Sequence, residues 1–380
     1  MTSSSGTDNV IAALRQSNRV CQVSLLNLVS WQLEEVLAVM QAPFPELTGL
    51  HLSSYDETPR APVIPGSFLG RSAPRLRYFR LSGIPFRGLP NLLSFTTQLA
   101  YLLLVDIPHS GFISPKAMAA LLSESSSLKM FRLEFQSPQS RPGLESRSQP
   151  PSKRYTLPSL KKFHFKGVTE YLEDLVTFID APQLDIFLIT FFNQINFDTP
   201  GLAEFIDRTP KRSERVAYVQ FHDLRASVVL AVPAVPHRTL KVEISCREPD
   251  WQLSSIEQIC NSFLPSPLST VQDLYIEPRG SKLVWKTDTI ESSLWLQLLR
   301  PFTVVKCLYL SKEFVPEIAA ALRGLVGANI TEVLPVLRNV FVEGIEPSGP
   351  LWKNIDQFAT ARWLSDHPTI AISDWQKPPK

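Results

Sequence analysis

One spacing of apolar positions returns along the whole chain. An apolar residue is followed by two variable residues, a second apolar residue, one variable residue and a third apolar residue. It reads Leu47, Leu50, Leu52, then Leu76, Phe79, Leu81, each entered through a proline, Pro45 and Pro74. It returns at Leu99-Leu102-Leu104, Leu128-Phe131-Leu133, Leu160-Phe163-Phe165 and Leu184-Phe187-Ile189. Weaker copies stand at Val20-Val23-Leu25, Val216-Val219-Phe221, Val242-Ile244, Val271-Leu274-Ile276, Val305-Leu308-Leu310 and Leu337-Val340-Val342. The alternation inside each copy has period two, which predicts a strand. Between the copies the spacing changes to a helical period. Ser30–Met40 carries a serine cap and apolar Leu33, Val36, Leu37 and Met40, and Ser114 caps a helix with Pro115 at its first position. Thr199-Pro200 starts another, and further helical segments are predicted over 168–179, 253–263, 290–299, 312–325 and 353–364.

About twelve copies follow one another at intervals of roughly 23–34 residues, several longer than the 20–29 of an ordinary leucine-rich repeat, whose signature they otherwise carry. The expected fold is therefore α/β: a leucine-rich-repeat solenoid, or horseshoe, of about 12 irregular repeats. Its sheet is expected to be parallel and to line the concave face, with helices outside and a right-handed arc. Residues 1–9 are expected to be disordered and 10–376 to form the repeat domain. Residues 137–154, rich in Ser, Pro and Arg, are expected to be a flexible inserted loop.

Strand side chains alternate, so the second and third apolar residues of each copy point to the core and the positions between and beside them to the open face. That face then carries Tyr78, Arg80, Tyr101 and Leu103, then Met130, Arg132, Lys162, His164 and Lys166, then Ile186 and Leu188. Farther along it carries Tyr218, Gln220, Glu243, Asp273, Tyr275, Glu277, Tyr309, Phe341 and Glu343. Basic residues gather in the earlier copies and acids in the later ones. Tyr275, Tyr309 and Phe341 occupy one position in three consecutive copies. Tyr and Arg are common anchors of protein interfaces, but rings in one row can equally stack to stabilise a sheet. Both readings are open at this point.

Composition narrows the function classes. A hydrophobic content of 44% with 19% charged residues describes a folded chain. A net charge of +2, and a basic set no larger than Arg80, Arg132, Lys162, His164 and Lys166, is too little for a nucleic-acid surface. Cys21, Cys246, Cys260 and Cys307 are far apart, which argues against a disulfide framework or a zinc site and for a reducing compartment, cytoplasmic or nuclear. No secretory leader and no membrane span is expected; the apolar stretch from Ala226 to Val235 is short and holds Pro233. The histidines form neither HExxH nor HxH, and no phosphate-binding glycine loop or GxSxG occurs. The expectation is a non-catalytic protein-binding chain with no cofactor and no metal.

Certain phrases are also familiar. Residues 106–115, DIPHSGFISP, 133–142, LEFQSPQSRP, 165–175, FKGVTEYLEDL, and 189–200, ITFFNQINFDTP, resemble segments of a large family of leucine-rich-repeat proteins from mushroom-forming fungi, described as F-box or F-box-like. The resemblance covers roughly residues 8–375. It implies the substrate-recognition part of a cullin–RING ubiquitin ligase receptor, whose F-box binds the adaptor and whose repeats bind the protein to be modified. Asp8–Leu14 runs directly into the first repeat strand at Val20, which leaves no room for an F-box of some fifty residues. The adaptor is therefore an expected partner only if a box lies upstream. The alternative is a stand-alone scaffold or regulatory solenoid with no ligase link.

Overall fold

The computed structural model describes residues 4–54, 62–85, 89, 92, 94–138, 154–192, 199–209, 215–232, 235–262, 264–280, 292–325, 331–344, 346, 349–365 and 367–376. Residues 139–153, most of the expected flexible loop, lie outside the described residues. The chain divides into two compact units, Met1–Phe187 with Arg208–Pro210, and Leu188–Asp207 with Lys211–Lys380. Each is α/β and built on a mostly parallel sheet.

In the first unit the strands are β1 (Gln22–Leu28), β2 (Gly49–Ser54), β3 (Tyr78–Ser82), β4 (Tyr101–Ile107), β5 (Met130–Phe135), β6 (Tyr155–Thr156), β7 (Lys162–Gly167) and β8 (Ile179–Asp180). The order β1-β2-β3-β4-β5-β7 is parallel throughout, and β6 and β8 form a small parallel pair of their own. The apolar spacing is the reason. Leu47, Leu50 and Leu52, Leu76, Phe79 and Leu81, and Leu128, Phe131 and Leu133 are all at most 1% exposed. The first residue of each triplet closes a turn: Leu47 N donates to Phe44 O, Leu76 N to Ala73 O, Leu128 N to Ser125 O and Leu160 N to Leu157 O. In three of these turns proline holds the second position, where its fixed φ is pre-set. Just before these strands one carbonyl then accepts two consecutive amides of the next repeat. Cys21 O takes Thr48 N and Gly49 N, Thr48 O takes Arg77 N and Tyr78 N, Arg77 O takes Ala100 N and Tyr101 N, and Ala100 O takes Lys129 N and Met130 N.

Strand β9 (Ile186–Phe191) carries the point of division. The second unit adds β10 (Val216–His222), β11 (Arg225–Val232), β12 (Val235–Ser245), β13 (Asp273–Pro278), β14 (Cys307–Leu310), β15 (Asn339–Val342) and β16 (Ala371–Asp374), in the order β12-β11-β10-β13-β14-β15-β16. The same shared carbonyls recur, with Arg215 O, Gln272 O and Lys306 O each accepting two amides at the start of the next parallel strand. The sequence reading of an all-parallel sheet is corrected here. β11 is antiparallel to both β10 and β12. His222 pairs with Arg225, so only two residues join β10 to β11; a connection that short can build only an antiparallel hairpin, whereas a parallel return needs a dozen residues or more. The apolar stretch at Ala226–Val232 is thus the middle strand of a meander, with Ala226, Val228 and Leu230 buried. The two copies read at Val216 and Val242 are its outer strands and not neighbours. β10 lies instead beside β13.

The predicted helices form with small shifts at their ends, at Ser30–Val39, Pro115–Ser123, Thr169–Phe178, Pro200–Arg208, Gln252–Ser262, Ser292–Leu299, Val315–Arg323 and Pro350–Leu364. Ser114 Oγ accepts Ala117 N at 3.3 Å, the expected cap. Of residues 1–9, expected to be disordered, 1–3 lie outside the described residues and 4–9 belong to the helix Ser4–Leu14, which buries Leu14 and accepts Gln32 Nε2 at Thr7 Oγ1 at 3.3 Å. No helix among the described residues is long and apolar enough to cross a membrane.

Among the described residues one charged side chain is fully buried. Arg362, 0% exposed, donates to Leu334 O at 2.7 Å and Pro335 O at 2.5 Å, with its guanidinium 5.8 Å from the Phe358 ring. It ties the last long helix to the turn that opens β15, a turn in which Leu334 is held at φ 49°. Replacing Arg362 by Ala leaves Leu334 O with only its turn bond from Leu337 N, strips the Arg362 donor from Pro335 O and opens a void, so it should cost about 2–3 kcal/mol in urea unfolding. R362K, which cannot fork to both carbonyls, should recover only part of that.

Candidate functional site

The open face of the second unit is organised by register. Tyr218 pairs with Tyr275, Tyr275 with Tyr309 and Tyr309 with Phe341 across β10, β13, β14 and β15. Their rings stack: 4.9 Å and 22° for Tyr218–Tyr275, 4.1 Å and 6° for Tyr275–Tyr309, 4.6 Å and 10° for Tyr309–Phe341. All four are partly exposed. Trp375, just past β16, meets Tyr275 and Tyr309 edge to face at 5.7 and 5.6 Å. Its amide donates to Val342 O at 2.9 Å, which fixes it at the end of the sheet.

Acids flank this row. Asp273 stands two residues before Tyr275 on the same strand face, and Glu277 two residues after it. Glu277 accepts Gln220 Nε2 at 3.0 Å. The Ser311 hydroxyl lies between the carboxylates of Glu313 and Glu343, and Asp374 Oδ1 accepts Gly344 N at 3.0 Å. Burial, and then the Glu277 and Asp273 carboxylates, push the Tyr218 phenol above its ordinary pKa. Burial does the same to Tyr275 and Tyr309, to which the stacked partner and Asp273 add in the case of Tyr275. The row is therefore neutral, amphipathic and framed by negative charge.

An inner row shows what such rings do when they serve only the core. Phe131, Phe163 and Phe187 stack at 5.3 and 5.1 Å on the opposite side of the first unit's strands, each at most 1% exposed. The outer row has the same spacing but keeps contact with solvent.

The register sets most of the basic residues of the first unit in two adjacent rows, and Lys166 opposite Glu134 outside both. Tyr78, Tyr101, Met130 and Lys162 are in register, as are His51, Arg80, Leu103, Arg132 and His164. Tyr78 and Tyr101 approach at 6.2 Å. Leu103, expected to be exposed, is 6% exposed, flanked in register by Arg80 and Arg132. Arg132 pairs with Glu134 at 2.8 Å and Lys166 with Asp106 at 3.7 Å, so part of the positive charge is already met. Burial lowers the pKa of His164 most, with Arg132 and Lys162 adding to that and Glu134 opposing it; burial and Arg80 lower that of His51. Among the described residues no group of three or more His, Cys, Asp or Glu side chains is placed to hold a metal ion.

One member of the outer row and one ring packed on it are not marked by the repeat spacing: the copy at Val242 stands between Tyr218 and Tyr275 in the sequence, and Trp375 lies beyond the last copy. The alternation in Ala371–Asp374 was the available signal for that further strand.

Two outcomes follow. Truncating both Tyr275 and Tyr309 to Ala should lower stability by about 1–3 kcal/mol, because stacked pairs contribute roughly 0.5–1.5 kcal/mol each beyond their buried area. Y275F with Y309F should keep the stack and the melting temperature. Separately, a histidine whose folded pKa is depressed is protonated first in the unfolded chain. Its stability contribution is full above the ordinary value near 6.5 and is lost as pH falls below it. H51N with H164N should therefore flatten the fall in urea midpoint between pH 7.5 and 5.5; an unchanged slope would place that dependence elsewhere.

No protein-family model matches this chain, and no curated protein matches it. Among solved structures it is similar to the leucine-rich repeat-containing protein LegL7 from Legionella pneumophila, with 10% identity, covering 89% of this chain and 97% of that one, at a TM-score of 0.28. A likeness at that score carries no argument for fold or function.

Proposed function

We propose that this chain is a non-catalytic leucine-rich-repeat solenoid that captures a protein partner on the open sheet face of its second unit. The observation that carries the reading is the half-exposed row Tyr218, Tyr275, Tyr309 and Phe341, stacked at 4.1–4.9 Å and framed by Asp273, Glu277 and Glu343. Stacking alone would be satisfied on the buried side, as Phe131, Phe163 and Phe187 are. Rigid aromatic surface with few rotatable bonds and a polar tip is what protein interfaces use as anchors. The acids select a partner that presents apolar side chains fringed by Lys or Arg. Arg80, Arg132, Lys162 and Lys166 are the second surface to consider, although two of them already hold carboxylates. The resemblance to fungal F-box-like proteins assigns such a partner the role of a ubiquitylation substrate. The alternative, a scaffold without a ligase link, uses the same face.

The test compares wild type, Y275A/Y309A and Y275F/Y309F as baits in native extract, with a melting curve for each. Loss of a buried aromatic anchor costs about 2 kcal/mol or more, roughly thirtyfold in affinity. Proteins retained by wild type and the Phe variant, and lost by the Ala variant at a temperature where it is still folded, support the reading. Their capture should weaken with salt and with D273K. Equal capture by all three folded baits would move the site off this face. Co-capture of a cullin adaptor would favour the ligase role over the scaffold.

A further inference from the structure

Beside the aromatic row, where the meander lies in the sheet, the open face sinks into a polar cavity of about 220 Å³. Three permanently charged cations line it, Arg225 from β11, Lys241 from β12 and Arg279 just past β13, together with His222 from the end of β10. Glu243 is the one carboxylate among the lining residues. It is 12% exposed and already shared, with Lys241 Nζ at 2.5 Å and Arg225 at 3.4 Å. Among the described residues Arg279 donates to the amide oxygen of Gln220 at 3.3 Å. Against one lining carboxylate, three cations leave an excess of two positive charges among the lining residues, while Asp223 Oδ2 stands 3.3 Å from His222 Nδ1 and Glu277 accepts Gln220 Nε2 at the margin.

The recess is held in shape from below. Gln252, 0% exposed on the helix Gln252–Ser262, points its amide nitrogen at three carbonyls of the hairpin turn, His222 O at 2.9 Å, Asp223 O at 3.0 Å and Arg225 O at 3.0 Å. These are the residues that carry two of the lining side chains. The turn is strained, with Asp223 at φ 20°, and a buried amide spanning it fixes the directions in which His222 and Arg225 leave the backbone. A purely structural hairpin would not need its cationic tips gathered around an open space.

We propose that this cavity binds a phosphate monoester dianion. Such a group carries about 1.5–2 negative charges near neutral pH and three acceptor oxygens, which matches the excess charge, and guanidinium forks suit it geometrically. With a water occupying roughly 30 Å³ in the liquid, the cavity has room for the group and a few bridging waters. The site lies on β10 to β13 but does not depend on the aromatic row or on the partner proposed for it. The phosphate is either that of a free small molecule or that of a phosphorylated side chain.

Titration calorimetry on the full chain with inorganic phosphate, O-phosphoserine and a short phosphoserine peptide tests it. Saturable binding is expected, weakened tenfold or more in R225A and in R279A at unchanged melting temperature. E243Q should bind severalfold tighter, because it frees Arg225 and Lys241 from the competing carboxylate. Inorganic phosphate and O-phosphoserine binding as well as the peptide points to a free anion; a tenfold advantage for the phosphopeptide over both, absent from its unphosphorylated form, points to a modified protein. The proposal fails if none of the probes saturates either wild type or E243Q at millimolar concentration. It fails equally if binding is untouched in R225A and R279A.

Discussion

Along most of the parallel strands one backbone carbonyl of a repeat accepts two consecutive amides of the next repeat, and the rest of the structure depends on that contact. Gln272 O holds Lys306 N and Cys307 N; Lys306 O holds Arg338 N and Asn339 N. The contact sits just before each strand, so it sets where the strand begins relative to its neighbour. Side chains alternate with a strict period of two, and a slip of one residue would turn every core residue outward. The turn closed by the first apolar residue of the motif presents the carbonyl, and burial of the other two locks the strand down. Sequence spacing, hydrogen bonding and core burial thus specify one register.

That register has opposite consequences on the two faces. Inward it stacks Phe131, Phe163 and Phe187 into a buried ladder. Outward it aligns Tyr218, Tyr275, Tyr309 and Phe341 with solvent on one side and carboxylates around them. The outer rings contribute to stability through their stacking, so binding and stability are not separable by position alone. They separate by chemistry: a Phe in place of a Tyr keeps the stack and loses the hydroxyl, whereas Ala loses both.

Much of this was legible in the amino acids. The triplet spacing predicted the strands and their buried faces, and Ser114 with Pro115 predicted a helix start that forms as expected. The meander was not legible as such. Val216-Val219-Phe221 and Val242-Ile244 fit the repeat spacing as well as any weak copy, and nothing in that spacing tells a strand's direction. The information lay in the short link at Asp223-Leu224, too brief for a parallel crossover. Leu103 was misplaced because alternation assigns a face and not an exposure, and flanking Arg80 and Arg132 leave it little solvent. The polar cavity was invisible for a similar reason. Arg225, Lys241 and Arg279 are far apart in sequence, and only the order β12-β11-β10-β13 brings them together.

The account makes the exposed aromatic row a product of the shared carbonyls beneath it, and amide hydrogen exchange reads those contacts directly. The amides of Asp273, Cys307 and Asn339 belong to residues whose side chains reach solvent, yet each donates to a carbonyl of the preceding repeat. Under native conditions they should exchange as slowly as the buried strand amides of Leu274, Leu308 and Val340, by an opening that exposes the second unit's sheet as a whole. Exchange at the rate of surface loops, with the strand interiors still protected, would mean that these contacts do not set the register and that the alignment of Tyr275, Tyr309 and Phe341 has another cause.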